Sequence, residues 1–457
     1  MERDLTKGRV INHILVMSIP TMIGMAAQMV YDLVDIFWIG MISSDAIAGV
    51  TVFSTIFWMV DALNEIIGVS SISLISQAFG KKDYVQTSKA IEQTISFKFI
   101  MALIAAFFMA IFLEPLMLFF ADETVVNYGL EYGYLRLFFL PIMFSSYSVN
   151  TIFRCLGDAK TPMIIMIIVS IMNIFLDPLF IFEEVPFFNI QGFGFGVLGA
   201  ALATVISQSF AFFVGFIILF NRTHEVKPRF KGLFKLHPKL DAKLLTIGLP
   251  NGIQIFFRNL SNIVILGFVA IFGNEAIAAN GIAGRIFGFA FVPLFGLTMG
   301  ASSVVGQSIG AGDIKRSQKA ANMTGIIGAC VMLIFIVLAF GFGEAVMSLF
   351  TDDPLVIRYG IDFLKFGSLG LVALGYGLGL TSAFSGSGYN IPFLFSSVLS
   401  RWVIQLPILI LTISIFNLPI IWIWLSYMFG DIGETIILTM FYLKGKWKRK
   451  EVWGKSR

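Results

Sequence analysis

The sequence predicts an all-α integral membrane protein, with twelve transmembrane helices in two pseudo-symmetric six-helix lobes. Three observations predict it. Only 13% of the 457 residues are charged while 57% are hydrophobic, twelve long apolar stretches follow one another, and the second half of the chain repeats the first at a fixed offset. A soluble domain carries about 25% charged residues. This chain lacks the polar surface that water demands, and its mean hydropathy of +0.87 makes lipid the expected solvent. Its 43 glycines, 49 phenylalanines and 20 methionines suit closely packed membrane helices. Cys155 and Cys330 lie in or beside apolar segments and form neither a disulfide framework nor a zinc spacing, so both are expected to be free. The opening "MERDLTKGRV" leads into an apolar run without a cleavage-site pattern, so no cleavable signal peptide is expected.

Apolar stretches of roughly 20 residues or more read as spanning helices. They run over about 11–41, 46–76, 88–114, 124–151, 160–181, 193–221, 241–272, 276–306, 318–347, 355–381, 390–415 and 418–443. Several exceed the bilayer thickness and are free to tilt or project. The short alternating segments of a β-barrel are not seen.

The connecting loops alternate in charge. Arg3, Lys7 and Arg9 precede the first span, Lys81 and Lys82 follow the second, and Lys315, Arg316 and Lys319 follow the eighth. The longest loop holds Arg222, Lys227, Arg229, Lys231, Lys235, Lys239 and Lys243, and the tail "KGKWKRKEVWGKSR" is basic. The opposite loops contain "ISSDA", "ADET", "FEEVP", "GNEA" and "TDDP". By the positive-inside rule the protein is a multi-pass cell-membrane protein with both termini cytoplasmic. Next to a membrane span, the basic tail reads as a topology determinant rather than a nucleic-acid patch; the expected partners are the lipid bilayer and small molecules, with no nucleic acid, and a monomer is expected.

The repeat is legible by eye. "SIPTMIGMAAQ" at 18 pairs with "GLPNGIQIFFR" at 248, setting Pro20 against Pro250, 230 residues apart. "DAIA" and "EAIA" keep that offset, as do "SQAFGKKD" and "GQSIGAGD", where Gln77, Gly80 and Asp83 match Gln307, Gly310 and Asp313. The chain therefore divides into an N-lobe (1–220, spans one to six), a linker loop (221–244) and a C-lobe (245–457, spans seven to twelve with the basic tail). Six spans per half give both halves one orientation, with a cleft expected between them. Repeats of this kind are a transporter signature, because one half can rock against the other.

Acids inside the apolar spans carry the chemistry. An ionised Asp at a helix centre costs about 2.5–3.5 kcal/mol on insertion scales, so such residues face a bundle interior or a wet cavity. In "MVYDLVDIFWIG", Asp32 and Asp35 share a helix face, with Gln28 one turn earlier and Tyr31 beside them. The fifth span carries Asn173 and Asp177 at i,i+4, and Pro178 removes a backbone donor just after the acid. The sixth offers Thr204 and Gln208, and the fourth offers Asn150. Singly, an Asn or Thr here reads as an interhelical hydrogen-bonding residue. Together they form a set of hard oxygens that suits Na⁺, whereas H⁺ needs only a carboxylate of suitable affinity. Asp61 and Glu65 sit at i,i+4 in the second span, either drawing a cationic substrate or pairing with an arginine of the other half.

At the same offset the second half carries Asn262 for Asp32, Ile265 for Asp35, Pro407 for Asp177 and Arg258 for Gln28. Acids are expected in one half only, with Arg258, Arg285 and Arg401 in the apolar stretches of the other. Arg258 is expected to pair with an acid across the cleft or to snorkel.

At these residues the chain resembles the MATE family, multidrug and toxic compound extrusion transporters, over nearly its whole length. "NIFLDP" together with "YDLVD" is similar to the DinF-like branch. The resemblance implies a cation-coupling site of Asp35, Asn173, Asp177, Thr204 and Asn150, with Na⁺, where it is the coupling ion, at Asp35, Asn173, Asp177 and Thr204. It implies Pro20 as the hinge of the first helix and Asp35 as its trigger. It implies secondary active efflux of amphipathic, often cationic compounds in exchange for H⁺ or Na⁺, with no enzyme activity and no cofactor. Gln28, Tyr31, Asp32, Asp61, Glu65 and Arg258 are the remaining candidates for substrate contact. No G-x-x-x-x-G-K-[ST] is present to suggest ATP as the driver. A flippase for lipid-linked precursors would use the three arginines in a basic cleft. An intramembrane aspartyl protease would use paired Asp residues, but the chain has no G-x-G-D and that enzyme leaves the repeat unexplained.

Overall fold

In the computed structural model the described residues are 3–188, 190–221 and 226–454. Arg222 of the basic loop and the end of the basic tail beyond 454 lie outside them. The first half runs α1 (Val10–Gly40), α2 (Ser44–Gly80), α3 (Tyr84–Phe120), α4 (Glu123–Phe138), α5 (Leu140–Cys155), α6 (Lys160–Ile181) and α7 (Gly196–Asn221). Between α6 and α7 the strands β1 (Glu184–Val185) and β2 (Ile190–Gln191) form one antiparallel pair, Glu184 opposite Gln191. A short α8 (Phe230–Leu233) follows. The second half runs α9 (Pro238–Ala270), α10 (Asn274–Gly310), α11 (Ile314–Met347), α12 (Pro354–Asp362), α13 (Leu371–Ser387), α14 (Ile391–Val398), α15 (Leu406–Leu409) and α16 (Ile421–Leu443).

Ten of these stretches are long and apolar enough to cross a membrane, counting the run Ile391–Ile415 as one. An eleventh span is the pair Pro354–Gly367 and Leu371–Ser387, bent by 54°. The stretch expected as the fourth span is α4 with α5, which part at Phe139 just before Pro141. Both interruptions fall at the same place in the repeat, since 139 plus the offset of 230 lands between the two arms of the bent pair. The expected twelve-helix membrane fold is the fold observed.

Polar caps start the helices where the sequence supplies them. Ser43 accepts from the Ala46 amide at 3.0 Å, Asp83 from Gln86 at 3.0 Å and Asp313 from Arg316 at 2.8 Å. The repeated "SQAFGKKD" and "GQSIGAGD" are therefore helix end, tight turn and N-cap. The turn needs a left-handed residue, Lys82 (φ 60°) in one copy and Gly312 (φ 79°) in the other.

The chain forms two compact units. One contains Ile23–Gly248; the other contains Asp4–Met22 and everything from Leu249 onward. The sequence boundary at the linker is thus not where the packing changes hands. The chain passes between units inside α1 and inside α9, close to Pro20 and Pro250 in both cases. A proline takes the hydrogen bond from the carbonyl four residues before it, so both helices are weakened at the crossing.

Small residues admit the crossing segments. In the second unit a Cβ at Gly296 or Gly300 of α10 would strike Met22 or the Met17–Ser18 backbone, and Ser18 donates to the Leu297 carbonyl at 3.1 Å. In the first unit a Cβ at Gly248 of α9 would land on the Ile66 carbonyl of α2. Ser18 and Gly248 are repeat partners, as are Ile66 and Gly296. One contact is made twice, with the glycine supplied from opposite sides.

Candidate functional site

In the first unit the lower part of α1 packs on α6, where Gly24 lies against Met163 and Met166. Further along, α1 presents Tyr31, Asp32 and Asp35. Asp35 is buried and Asp32 is exposed, and both lie within electrostatic reach of Arg136. One carboxylate oxygen of Asp35 (Oδ2) accepts the Tyr132 hydroxyl of α4 at 3.2 Å, and Tyr132 in turn accepts Arg136 Nη1 at 3.0 Å. The other, Oδ1, has no partner. The Arg136 guanidinium rests over the Phe57 ring at 5.2 Å and the Tyr132 ring at 5.2 Å, which holds a cation in an apolar wall.

On α6, Asn173 and Asp177 are both completely buried. Asn173 Nδ2 donates to Asp177 Oδ1 at 3.2 Å, as the i,i+4 spacing allows. Asn173 Oδ1 and Asp177 Oδ2 have no partner among the described residues. Asp177 stands within electrostatic reach of Asp35 and Asp32. Three buried oxygens of Asp35, Asn173 and Asp177 are therefore unsatisfied. An unmade hydrogen bond on a buried group costs about 1–3 kcal/mol, and more when the group is charged. A proton or a hard cation relieves that cost.

The other candidates divide. Thr204 is buried on α7, which packs on α6. Gln208 Nε2, one turn on, donates to the Tyr31 hydroxyl at 2.8 Å, and Gln28 Nε2 donates to the Tyr147 hydroxyl at 2.8 Å. Asn150 is buried on α5, and its amide donates to the Met166 sulfur at 3.5 Å rather than to an acid. Asp61 accepts from Asn64 at 3.0 Å, and both Asp61 and Glu65 lie within electrostatic reach of buried Lys98 on α3. A cation of the same half thus stands beside them.

The second unit corrects two expectations. Acids are not confined to the first half: Asp431 and Glu434 are buried on α16. Arg258 neither snorkels nor reaches for the other half. Its Nη2 meets Glu434 at 2.6 and 2.8 Å within its own unit. Arg401 likewise donates to Asp431 at 3.1 Å and to Gln405 at 2.7 Å, and Gln405 passes on to Ser426 at 3.2 Å. Arg401 and Gln405 lie on a π-helical stretch, Leu399–Gln405, whose wider turn occurs most often where function or strain requires it. The contrast between halves is one of pairing. Second-half acids each face an arginine, whereas Asp35 and Asp177 keep unpartnered oxygens.

Sequence reasoning missed Tyr132, Arg136, Lys98, Asp431 and Glu434. The signal was available for all but Tyr132, since a charged residue in an apolar run such as "YLRLFF", "SFKFI" or "FGDIGETI" is as telling as Asp35.

The family model MatE matches residues 20–179 and 250–411, one match to each copy of the repeat. The chain belongs to the MatE family. It is 25% identical over 438 residues to "Probable multidrug resistance protein YoeA" of Bacillus subtilis (strain 168), covering 95% of this chain and 93% of that one. It is 27% identical over 433 residues to "Multidrug export protein MepA" of Staphylococcus aureus (strain MRSA252), covering 91% and 90%. A crystal structure of MATE in the bent conformation superposes with a TM-score of 0.87 over 98% of each chain at 24% identity, which shows a shared fold.

Proposed function

We propose that this MatE-family chain is a secondary active multidrug exporter that moves amphipathic, often cationic compounds outward in exchange for H⁺ or Na⁺. The observation that carries the reading is the buried set Asp35, Asn173 and Asp177, with its unsatisfied oxygens, whereas the buried acids Asp431 and Glu434 of the second unit are each paired with an arginine. Relatives named for multidrug resistance and export support the substrate class. The coupling ion enters from outside, satisfies Asp35 and Asp177, with Asn173 and Thr204 as further oxygen donors when the ion is Na⁺, and leaves to the cytoplasm. One charge moving inward across 100 mV supplies about 2.3 kcal/mol, enough for roughly a fifty-fold gradient of a neutral solute. Pro20, where α1 is weakened, is the hinge. The DinF-like branch and a monomer at the cell membrane with cytoplasmic termini complete the proposal.

The flippase reading called for arginines free to hold an anionic headgroup. Two of the three arginines, Arg258 and Arg401, are each engaged by a carboxylate, which favours the drug-export reading; Arg285 is exposed.

The test is ethidium efflux by Asp35→Asn and Asp177→Asn proteins in liposomes under an imposed gradient, with and without sodium at fixed pH. Each variant is expected to lose at least about tenfold in gradient-driven efflux. Parent-like pumping by both places the coupling elsewhere. Efflux by the parent that needs sodium identifies Na⁺; efflux indifferent to sodium identifies H⁺.

A further inference from the structure

The first turns of α1 and α11 border an open cavity of about 660 Å³ in the second unit. Arg9, Lys315 and Lys319 form its basic side, and Val10, Ile11 and Met323 its apolar side. Two other charged residues there are already committed. The Arg316 guanidinium donates to the Leu5 carbonyl at 3.0 and 2.8 Å and to the Gly8 carbonyl at 2.8 Å, and the Asp313 carboxylate caps α11. Arg9, Lys315 and Lys319 have no such engagement among the described residues.

The repeat shows what the corresponding place holds in the first unit. There the chain's own linker lies along α3. The Lys227 amide donates to Ser88 at 3.1 Å, the Arg229 amide to Glu92 at 2.6 Å and the His237 amide to Gln93 at 2.9 Å, while Ser96 donates to the Leu233 carbonyl at 2.6 Å. Polar side chains on α3 thus hold a peptide. On α11 the partners of Gln93 and Ser96 are Met323 and Ile326. The partner of Glu92 is Asn322, whose oxygen already accepts the Tyr442 hydroxyl at 2.6 Å. The partner of Ser88 is Gln318, which keeps a polar side chain. At the positions of Gln93 and Ser96 the second unit sets apolar side chains beside a basic rim, and an amphiphile with an anionic head matches both surfaces. Exposed Ile326, Leu333, Ile334 and Val337 continue the apolar side along α11. Basic pockets between membrane helices at the cytoplasmic side are known hosts for anionic lipid headgroups.

We propose that this cavity is a binding site for the phosphate headgroup of an anionic phospholipid of the cytoplasmic leaflet, with Arg9, Lys315 and Lys319 on the phosphate and an acyl chain against Met323 and Ile326. The leaflet rests on the sidedness proposed above; the headgroup chemistry does not depend on transport.

The test is native mass spectrometry of the full-length protein released from nanodiscs of equal parts phosphatidylglycerol and phosphatidylcholine. Phosphatidylglycerol is expected to be retained over phosphatidylcholine. The Arg9→Gln/Lys315→Gln/Lys319→Gln protein is expected to lose at least about tenfold in that preference, given the contribution of each basic residue near the surface. The Lys81→Gln/Lys82→Gln/Lys89→Gln protein, altered at the basic residues of the first copy, is expected to keep it. Equal retention of the two lipids, or a triple variant that binds like the parent, overturns the proposal. Inorganic phosphate that displaces the lipid at millimolar concentration assigns the site to free phosphate and also overturns it. Labelling that puts Lys315 outside the cell overturns the leaflet alone.

Discussion

A charge inside the bilayer is costly without a partner, and Arg401 shows one that is paired. Its side chain is 9% exposed and that of Asp431 is 4% exposed, so neither charge has water to fall back on. Removing one partner of such a pair costs about 3–5 kcal/mol, because the other is left uncompensated, while replacing both by apolar residues is often neutral. Arg401→Met is therefore expected to lower the thermal midpoint of the detergent-solubilised protein sharply, and Arg401→Met/Asp431→Leu to recover most of the loss. Residue by residue, the sequence made Asp35, Asn173 and Asp177 visible because a carboxylate in an apolar run is conspicuous. Lys98, Arg136, Asp431 and Glu434 were equally conspicuous as residues. What could not be read was pairing, which joins Arg258 to Glu434 across 176 positions of chain. Without it the second half looked free of acids rather than balanced.

At the level of helices, the repeat makes paired experiments available. Lys82 and Gly312 hold the same left-handed turn. A side chain in that region costs roughly 1–2 kcal/mol. Gly312→Ala is expected to destabilise by about 1 kcal/mol, and Lys82→Gly to be neutral or stabilising, both read by thermal unfolding in detergent. Gly300→Val is expected to cost more, at least about 1–3 kcal/mol, because the added atoms meet backbone that has no room to yield. Helix positions were legible from apolar run length, and α2 and α10 match at the offset residue for residue. The π-helical stretches within Ile391–Ile415 were not legible. An apolar run with one arginine has no period that separates a wide turn from an α-helical one, and the choice is made by contacts such as Arg401 to Gln405.

At the scale of the whole chain, the sidedness proposed from its loop charges is open to a direct check. In a Cys330→Ser background, a cysteine at Gly312 is expected to react with a membrane-impermeant maleimide only after the cells are opened, and one at Asp352 to react in intact cells. Reversed labelling would invert the proposed direction of export. Two copies of one architecture were legible in the sequence, because Pro20 and Pro250 anchor an ungapped register. The exchange of opening segments was not, since a loop is the natural place to draw a border and nothing local marks a hand-over in mid-helix. That hand-over means that neither copy is self-sufficient. Each lends the start of its first helix to the other unit and receives the same piece in return. A six-helix half cut out on its own is therefore expected to leave a seam open along its second helix, where the borrowed segment would have lain.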